Sequence, residues 1–218
     1  MKKKKVVIGL DIDTTKIGFA IVDHKSGKLL FSSKIVPNKD KKFFERTFDL
    51  VNQVNKIIID CKNKYKILSV GIEDYGSFFI QRTMAQKGEV TGIVKWLLIN
   101  LNINIFEYDI DKKKKGKTFH ERLMISPTKL KKFIYGKGNV SKSGKSSELK
   151  LIFYKDTGIE GLSDDEIDAY YIGIFVSTVL KYNGIKYDES FEIKFGSNCA
   201  KLTKSKFESF SEILKVKQ

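Results

Sequence analysis

Four acidic residues occupy places in the sequence where an unneutralised charge is costly. Asp11 and Glu73 each follow a short apolar run rich in β-branched residues, the pattern of a buried strand. Asp165 and Asp168 lie three residues apart at the start of a long apolar segment, and this spacing puts both on one face of a helix. An ionised carboxylate in apolar surroundings requires a paired charge or a bound metal ion.

Convergence of these four carboxylates would be strongly repulsive, because each close pair costs about 4 kcal/mol at an effective dielectric constant of about 20. Bound cations remove that cost, and an all-oxygen ligand set favours Mg²⁺, with Mn²⁺ as a substitute, over zinc. Two such ions about 4 Å apart activate a water molecule and stabilise a leaving 3′ oxygen. The acids therefore predict hydrolysis of phosphodiester bonds with two ions per active site.

A purely structural role is the alternative for some of these acids. Asp165 falls in the first turn of its predicted helix, where negative charge complements the helix dipole without any function. Asp168 comes after that turn and aligns with Ile172, Phe175 and Val179, an apolar stripe that is expected to face the core. Its position favours a functional role over a helix cap.

The rest of the charge is mainly positive and unevenly distributed. The 218 residues carry 41 Lys and Arg against 26 Asp and Glu, and residues 109–155 alone hold 14 basic against 4 acidic residues. The resulting net charge of +15 favours a nucleic acid or an anionic surface as partner, and solvated surface lysines without a partner are the less favoured alternative. With only two Cys and two His, the chain can build neither a zinc cluster nor a disulfide framework.

The periodicity of apolar residues predicts an α/β protein. We predict strands over residues 6–13, 17–23, 28–36, 67–75 and 103–108. We predict helices over residues 41–62, 80–101, 127–136, 147–155 and 163–182, the last with a Ser163 and Glu166 capping box. The element order β-β-β-α-β-α-β-α is that of the ribonuclease H-like layout, a mixed five-stranded sheet with helices on both faces.

The chain divides into a nuclease-like domain and an appendage. Residues 1–182 form the predicted ribonuclease H-like domain, with an exposed basic insertion at 109–124 that shows neither period, and residues 183–218 form a peripheral extension. The apolar runs are too short for a signal peptide or a membrane span. We therefore expect an intracellular protein without a membrane partner, located in the cytoplasm of a bacterium or a phage-infected cell, or in a DNA-containing organelle.

Five segments resemble the RuvC-type Holliday-junction resolvases, in that family's order. They are IGLDIDTTKIGFAIVD (8–23), VGIEDY (70–75), KGEVTGIV (87–94), SPTKLKKFIYGKGNVSK (126–142) and DDEIDAYYIG (164–173). The resemblance implies that the catalytic metal ligands are Asp11, Glu73, Asp165 and Asp168. It also implies that basic residues of the fourth segment bind DNA near the cut, namely Lys131 and Lys142, with Lys132 and Lys137 beside them.

The resemblance further implies a homodimeric endonuclease that resolves four-way DNA junctions by paired, symmetric nicks. Two positions depart from the family. The Pro-Gly that usually follows the first Asp is replaced by Ile12-Asp13, and Asp13 is either a fifth carboxylate or a turn former. The family's base-contacting aromatic residue falls at Gly76, so a stacking role passes to one of three neighbours that are equally suited to core packing: Tyr75, Phe78 or Phe79.

Three alternatives stay open at this point. The first is a less selective branch or flap nuclease of the same fold. The second is an actin-like nucleotide-binding module, since such proteins also open with Gly-x-Asp on a hairpin, but Asp13 replaces the glycine that lets the backbone approach a phosphate. The third is a DNA-binding protein that keeps the fold without catalysis, which the presence of all four acids disfavours.

Overall fold

The computed structural model describes residues 2–74, 81–114, 117–123, 125, 127–135, 145–182, 192–195 and 198–201. The strands are β1 (Lys5–Ile12), β2 (Ile17–Asp23), β3 (Leu29–Ile35), β4 (Lys66–Ile72), β5 (Tyr108–Lys114), β6 (Lys117–Leu123), β7 (Glu192–Phe195) and β8 (Asn198–Lys201). The helices are α1 (Phe43–Lys64), α2 (Gln81–Asn100), α3 (Pro127–Tyr135), α4 (Lys145–Thr157) and α5 (Asp164–Tyr182).

The central sheet has the strand order β3-β2-β1-β4. β1, β2 and β3 form an antiparallel meander, and β4 runs parallel to β1. The apolar run of β1 is buried on both faces of the sheet, as its continuous β-branched sequence predicts, and Val7 and Ile8 have no exposed surface. The predicted mixed sheet is confirmed.

The edge of the sheet next to β4 differs from the prediction of a fifth strand over residues 103–108. Two short pieces pair there, each through an isolated parallel bridge, Ile105 with Val70 and Ile125 with Glu73. Between the two bridges the chain leaves the sheet. The fifth position of the described sheet is therefore discontinuous, although the α/β class is as predicted.

The segment that leaves the sheet forms an antiparallel hairpin of β5 and β6. It coincides with residues 109–124, for which the sequence predicts an exposed basic insertion without regular structure. Five of the seven residues of β5 and three of the seven residues of β6 are charged, and the alternation of polar and apolar residues that indicates a strand does not continue beyond Ile110. Strand pairing here was therefore missed.

Helices cover both faces of the sheet, as predicted. α1 and α2 pack against one face, where Leu50 and Val90 join the apolar residues of β1. α3, α4 and α5 lie on the other face around a cluster that includes Phe133, Phe153 and Tyr170. α5 makes the most extensive contact of any helix with the sheet, because it packs on both β1 and β2.

Two glycines allow α5 to lie directly on the backbone of the sheet. A Cβ at Gly9 of β1 would overlap the carbonyl oxygen of Ala169, and a Cβ at Gly18 of β2 would overlap the carbonyl oxygen of Asp165. A larger side chain at either position would push the helix away from the strands. The close approach sets where the first two turns of α5 lie above the strand ends.

The start of α5 is fixed by the predicted capping box. The backbone N–H and the hydroxyl of Ser163 both donate to Glu166 Oε2, at 3.1 and 2.8 Å, and the backbone N–H of Glu166 donates to Ser163 Oγ at 3.4 Å. These bonds satisfy donors that helix formation leaves without partners. The acidic first turn of α5 is thereby held in one conformation over the sheet.

The remaining described residues add two observations. β7 and β8 pair as an antiparallel hairpin in the segment predicted as an extension, and the other residues of 183–218 lie outside the described part of the chain. Among the described residues, no helix combines the length and the apolar character needed to cross a membrane.

Candidate active site

Three carboxylates lie together at one end of the central sheet, on the face covered by α5. Asp11 is close to the end of β1, Glu73 directly follows β4, and Asp168 lies in the second turn of α5. The charges of Asp11 and Glu73 act on Asp168, and the charge of Asp11 acts on Glu73, so the three groups are neighbours. We refer to Asp11, Glu73 and Asp168 as the acid cluster.

The acid cluster holds its protons unusually strongly. Burial is the largest cause for each member, and it raises the pKa of Asp11 to about 6, of Glu73 to about 7 and of Asp168 to about 8. Repulsion from the neighbouring carboxylates adds to burial, whereas Lys87 of α2 opposes the rise in the pKa of Asp11 and Glu73. The cluster is thus poorly neutralised by the protein itself.

Asp165 lies next to the acid cluster but has different surroundings. Lys16 Nζ is 2.6 Å from one of its carboxylate oxygens, and Lys34 Nζ is 2.9 Å from the other. Burial acts to raise the pKa of Asp165, but the hydrogen bonds from both lysines outweigh burial and hold the pKa below its usual value. We refer to Lys16 and Lys34 as the lysine pair.

The strand register explains why the two environments adjoin. Asp11 on β1 is opposite Gly18 on β2, and Gly18 is opposite Lys34 on β3. These three residues form a row across the face that α5 covers, and the backbone of Asp165 lies over the glycine in the middle. Asp165 is therefore positioned between an acid on one strand and a lysine on another.

The turn after β1 brings Lys16 to the same place. The backbone N–H of Thr14 donates to Asp13 Oδ1 at 2.7 Å, and the backbone N–H of Asp13 donates to the carbonyl oxygen of Lys16 at 3.0 Å. Asp13 thus forms the turn, which is one of the two roles the sequence left open for it. The turn places Lys16 immediately before β2, beside Asp165.

A cleft of about 320 Å³ opens beside the acid cluster. Glu73 and Asp168 line it, together with Lys87 from α2 and Lys131 from α3. Both lysines are close enough to Glu73 to oppose the rise in its pKa. The cleft therefore combines acids able to bind cations with ammonium groups able to bind a phosphate.

The structure brings three of the four predicted carboxylates together and places the fourth, Asp165, beside them on the lysine pair. Lys131 lies in the cleft, and Lys132 belongs to the same helix, although its side chain is outside the described part. The other residues predicted to contact DNA lie outside the described residues, namely Lys137, Lys142, Tyr75, Phe78 and Phe79.

Sequence reasoning missed three basic residues near the acids: Lys16, Lys34 and Lys87. Lys34 was detectable in principle, because successive side chains of a strand point to opposite faces, and Lys34 is therefore on the face of β3 opposite to that of its buried neighbour Ile35. Its proximity to Asp165 follows from the register of three strands and from the packing of α5, which a single sequence does not give. Lys87 is the first residue of the resolvase-like segment KGEVTGIV (87–94), but its distance from the acids depends on how α2 packs on the sheet.

The donor set of the acid cluster has the chemistry of a hard-cation site, since carboxylate oxygens are the ligands preferred by Mg²⁺ and Mn²⁺. As they stand, no three acidic, histidine or cysteine side chains among the described residues have the arrangement needed to enclose one ion. Both oxygens of Asp165 contact the lysine pair. The donor chemistry fits a divalent cation, and the complete ligand set stays a prediction.

No protein-family model matches the sequence, and no curated protein sequence matches it. The structure of Thermus thermophilus RuvC is similar with a TM-score of 0.59 and 17% identity, covering 81% of this chain and 95% of that one. T. thermophilus RuvC in complex with a Holliday junction substrate gives 0.58 and 19%, covering 78% and 90%. The chain therefore has the RuvC fold, the ribonuclease H-like α/β architecture that its sequence predicts.

Proposed function

We propose that the protein is a metal-dependent, structure-selective DNA endonuclease that resolves four-way junctions. The observation that carries the proposal is the acid cluster, which lies beside a cleft with basic residues at the end of a RuvC-like sheet. Buried carboxylates that repel one another lower the stability of the fold unless bound cations neutralise them, and such groups are common at functional sites. The net charge of +15 suits a polyanionic substrate.

Asp11, Glu73 and Asp168 would hold the divalent cations. The resemblance to resolvases assigns Asp165 to the cations as well, but both of its carboxylate oxygens contact the lysine pair, so we do not count it among the ligands. When bound, Mg²⁺ or Mn²⁺ supplies charge that stabilises the attacked phosphoryl group and makes an attacking water more acidic. The raised pKa of each cluster member means that a cation competes with a proton for the carboxylate. Lys87 and Lys131 would hold and orient the phosphodiester beside the acids.

Branched DNA is the proposed partner, and a homodimer is the proposed assembly. A similar structure is that of T. thermophilus RuvC with a Holliday junction substrate, which supports a four-way junction as the ligand. A four-way junction has approximate two-fold symmetry, so two copies of one active site related by a two-fold axis could cut it at matched positions. The basic segment of residues 109–155, with 14 basic against 4 acidic residues, supplies charge of the sign that such a ligand requires.

The test compares three synthetic DNAs, a four-way junction, a replication fork and a plain duplex, each incubated with Mg²⁺ or with a chelator. We expect nicks at symmetric positions of the junction, only when Mg²⁺ is present. Unpaired cuts in both branched DNAs would favour the less selective branch or flap nuclease. Binding to all three DNAs without any cleavage in Mg²⁺ or Mn²⁺ would contradict the enzymatic proposal and favour the non-catalytic alternative.

A further inference from the structure

The lysine pair occupies a defined place relative to the acid cluster. Lys34 belongs to the row in which Asp11 and Gly18 are its neighbours on the next two strands. Adjacent strands are about 4.8 Å apart, so the backbone of Lys34 is about 10 Å from that of Asp11 across the sheet. Lys131, in contrast, lies in the cleft on the side of β4. The acid cluster thus has basic residues on two sides.

The charges of this region do not cancel. One carboxylate, Asp165, is shared by two ammonium groups, so the three side chains together carry a net charge of +1. The lysine side chains remain 35% and 39% exposed, whereas that of Asp165 is 12% exposed. An ammonium group has three donor hydrogens, and a bond to Asp165 uses one of them. Both lysines can therefore bind an anion from solvent without leaving Asp165.

We propose that Lys16 and Lys34 bind a backbone phosphate of the DNA adjacent to the phosphate at the acid cluster, and that Asp165 positions them. The inference rests on the proposed function, because its ligand is the DNA that the acid cluster would cut. It assigns a phosphate site to two residues outside the basic segment that dominates the net charge. Asp165 acts through these lysines and needs no contact with the reacting phosphate.

Asp165 is well suited to position the pair. Two ammonium groups brought close together repel each other, and long flexible side chains lose entropy when they are fixed. A carboxylate between them removes the repulsion and holds both nitrogens in place. Asp165 is itself held rigidly, because its backbone packs on Gly18 and its helix turn is fixed by the Ser163 capping box. The site is therefore formed before DNA binds.

The experiment measures the salt dependence of junction binding in Ca²⁺ for the full-length protein and two variants, Lys16→Ala and Lys34→Ala. The slope of log Kobs against log salt concentration should fall by about 0.9 in the double variant, because the two lysines share one phosphate, and by no more than that in either single variant. Lys34→Arg should restore the slope because it keeps the charge. Lys56→Ala, an exposed lysine of α1 on the other face of the sheet, is the matched control and should leave the slope unchanged.

A second arm tests the role of Asp165 by the sign of its effect. Removal of any acid near bound DNA should strengthen binding, and Asp164→Asn, one residue earlier on α5, measures that effect. Asp165→Asn should instead weaken binding and lower the salt slope, because an amide cannot hold two ammonium groups. Stronger binding in both Asp variants would overturn the positioning role.

The outcomes separate this inference from the proposed function. If wild-type protein binds and cuts junctions but the lysine variants keep the wild-type slope, the inference is wrong and the proposed function stands. If wild-type protein does not bind branched DNA, the proposed function fails first. Circular dichroism and thermal unfolding of each variant establish that a changed slope reflects the lost contact and not a lost fold.

Discussion

Asp165 and Asp168 lie on one face of α5, a single turn apart, and yet their carboxyl groups have opposite surroundings. Asp168 is near two other acids, and burial with their repulsion raises its pKa to about 8. Asp165 is near two lysines, whose hydrogen bonds overcome the effect of burial and lower its pKa. The two regions, the acid cluster and the lysine pair with Asp165, adjoin in space.

The difference arises from the strands beneath the helix. Asp165 lies over Gly18, between Asp11 and Lys34, so lysines from β3 and from the turn before β2 reach it. Asp168 extends toward the ends of β1 and β4, where Asp11 and Glu73 are its acidic neighbours. The acid cluster is left without enough positive charge from the protein, whereas Asp165 has an excess. The same residue type is thus surrounded by carboxylates in one region and by ammonium groups in the other.

The largest expected effect comes from neutralising one acid in each region. Asp168→Asn should reduce junction cleavage by at least about 10³-fold, at or beyond the cost of removing one group that stabilises a transition state. Asp165→Asn should reduce it by about 10–100-fold, as expected for a residue that acts through its neighbours. Mapped cleavage rates on a four-way junction with Mg²⁺ measure both.

Binding of Mn²⁺, followed by electron paramagnetic resonance, gives a second readout that does not depend on turnover. Asp168→Asn should lose Mn²⁺ affinity, as should Asp11→Asn and Glu73→Gln, while each variant still binds the junction in Ca²⁺. Asp165→Asn should retain most of its Mn²⁺ affinity. An equal loss of Mn²⁺ affinity in the Asp165 and Asp168 variants would make Asp165 a ligand like the others and erase the contrast between the two regions.

The next effect concerns the glycine beneath Asp165. Gly18→Ala should destabilise the protein by about 3 kcal/mol, the upper end of the usual cost of overpacking, because its Cβ would overlap backbone that cannot move independently of α5. Gly92→Ala in α2 is the matched control, since a Cβ there meets no other atom within 4 Å. The control should gain about 0.5–1 kcal/mol from helix propensity. Urea unfolding of the two variants measures both changes, and similar stability would contradict the close packing of α5 on β2.

The parts of this arrangement that the sequence predicts are those encoded by local pattern. The strands of the meander and the helices follow from apolar runs and their periods, and Asp11, Glu73 and Asp168 are conspicuous because a lone ionised carboxylate among apolar residues is costly. What local pattern lacks is the register between strands. The alternation of β3 indicates which face of the strand Lys34 is on, but only its position opposite Gly18 brings it to Asp165.

The discontinuous fifth strand was missed for a related physical reason. Residues 103–108 are apolar enough to form a strand, but the pairing with β4 passes to Ile125 after the β5–β6 hairpin. Because the hairpin is rich in charged residues, the sequence lacks the sustained apolar alternation that would predict its two strands. The sequence therefore predicts a fifth strand beside β4, but it does not predict that two separate pieces of the chain form it.

A smaller effect follows from the raised pKa of Asp168. Folding raises the pKa of this carboxyl group from its ordinary value of 3.8 to about 8, so the group contributes stability while it is protonated and loses that stability as the pH rises through 8. Between about pH 6 and about pH 8 the metal-free protein should lose about 2 kcal/mol through this group, since one pKa unit corresponds to about 1.36 kcal/mol.

Other groups titrate in that window, so the comparison with a variant isolates the effect. Burial lowers the pKa of His24, which acts in the opposite direction because its protonated form is disfavoured in the fold. Asp165, with its lowered pKa, is ionised in both states throughout the window and contributes no slope. The thermal stability of Asp168→Asn should therefore increase relative to that of the wild type as the pH rises, and Mg²⁺ should reduce the difference between the two proteins. Parallel pH profiles would contradict the burial of Asp168.

The smallest expected effect concerns Lys131, the basic residue of the cleft on the side of β4 away from the lysine pair. Lys131→Ala should weaken junction binding to a similar degree for every sequence and lower the salt slope by about 0.9, since one phosphate contact is lost. Its effect should add to that of Lys34→Ala, because the two lysines lie on different sides of the acid cluster and would contact different phosphates. A double variant whose slope matches that of either single variant would mean that both lysines serve one phosphate, and the acid cluster would then have a basic site on one side alone.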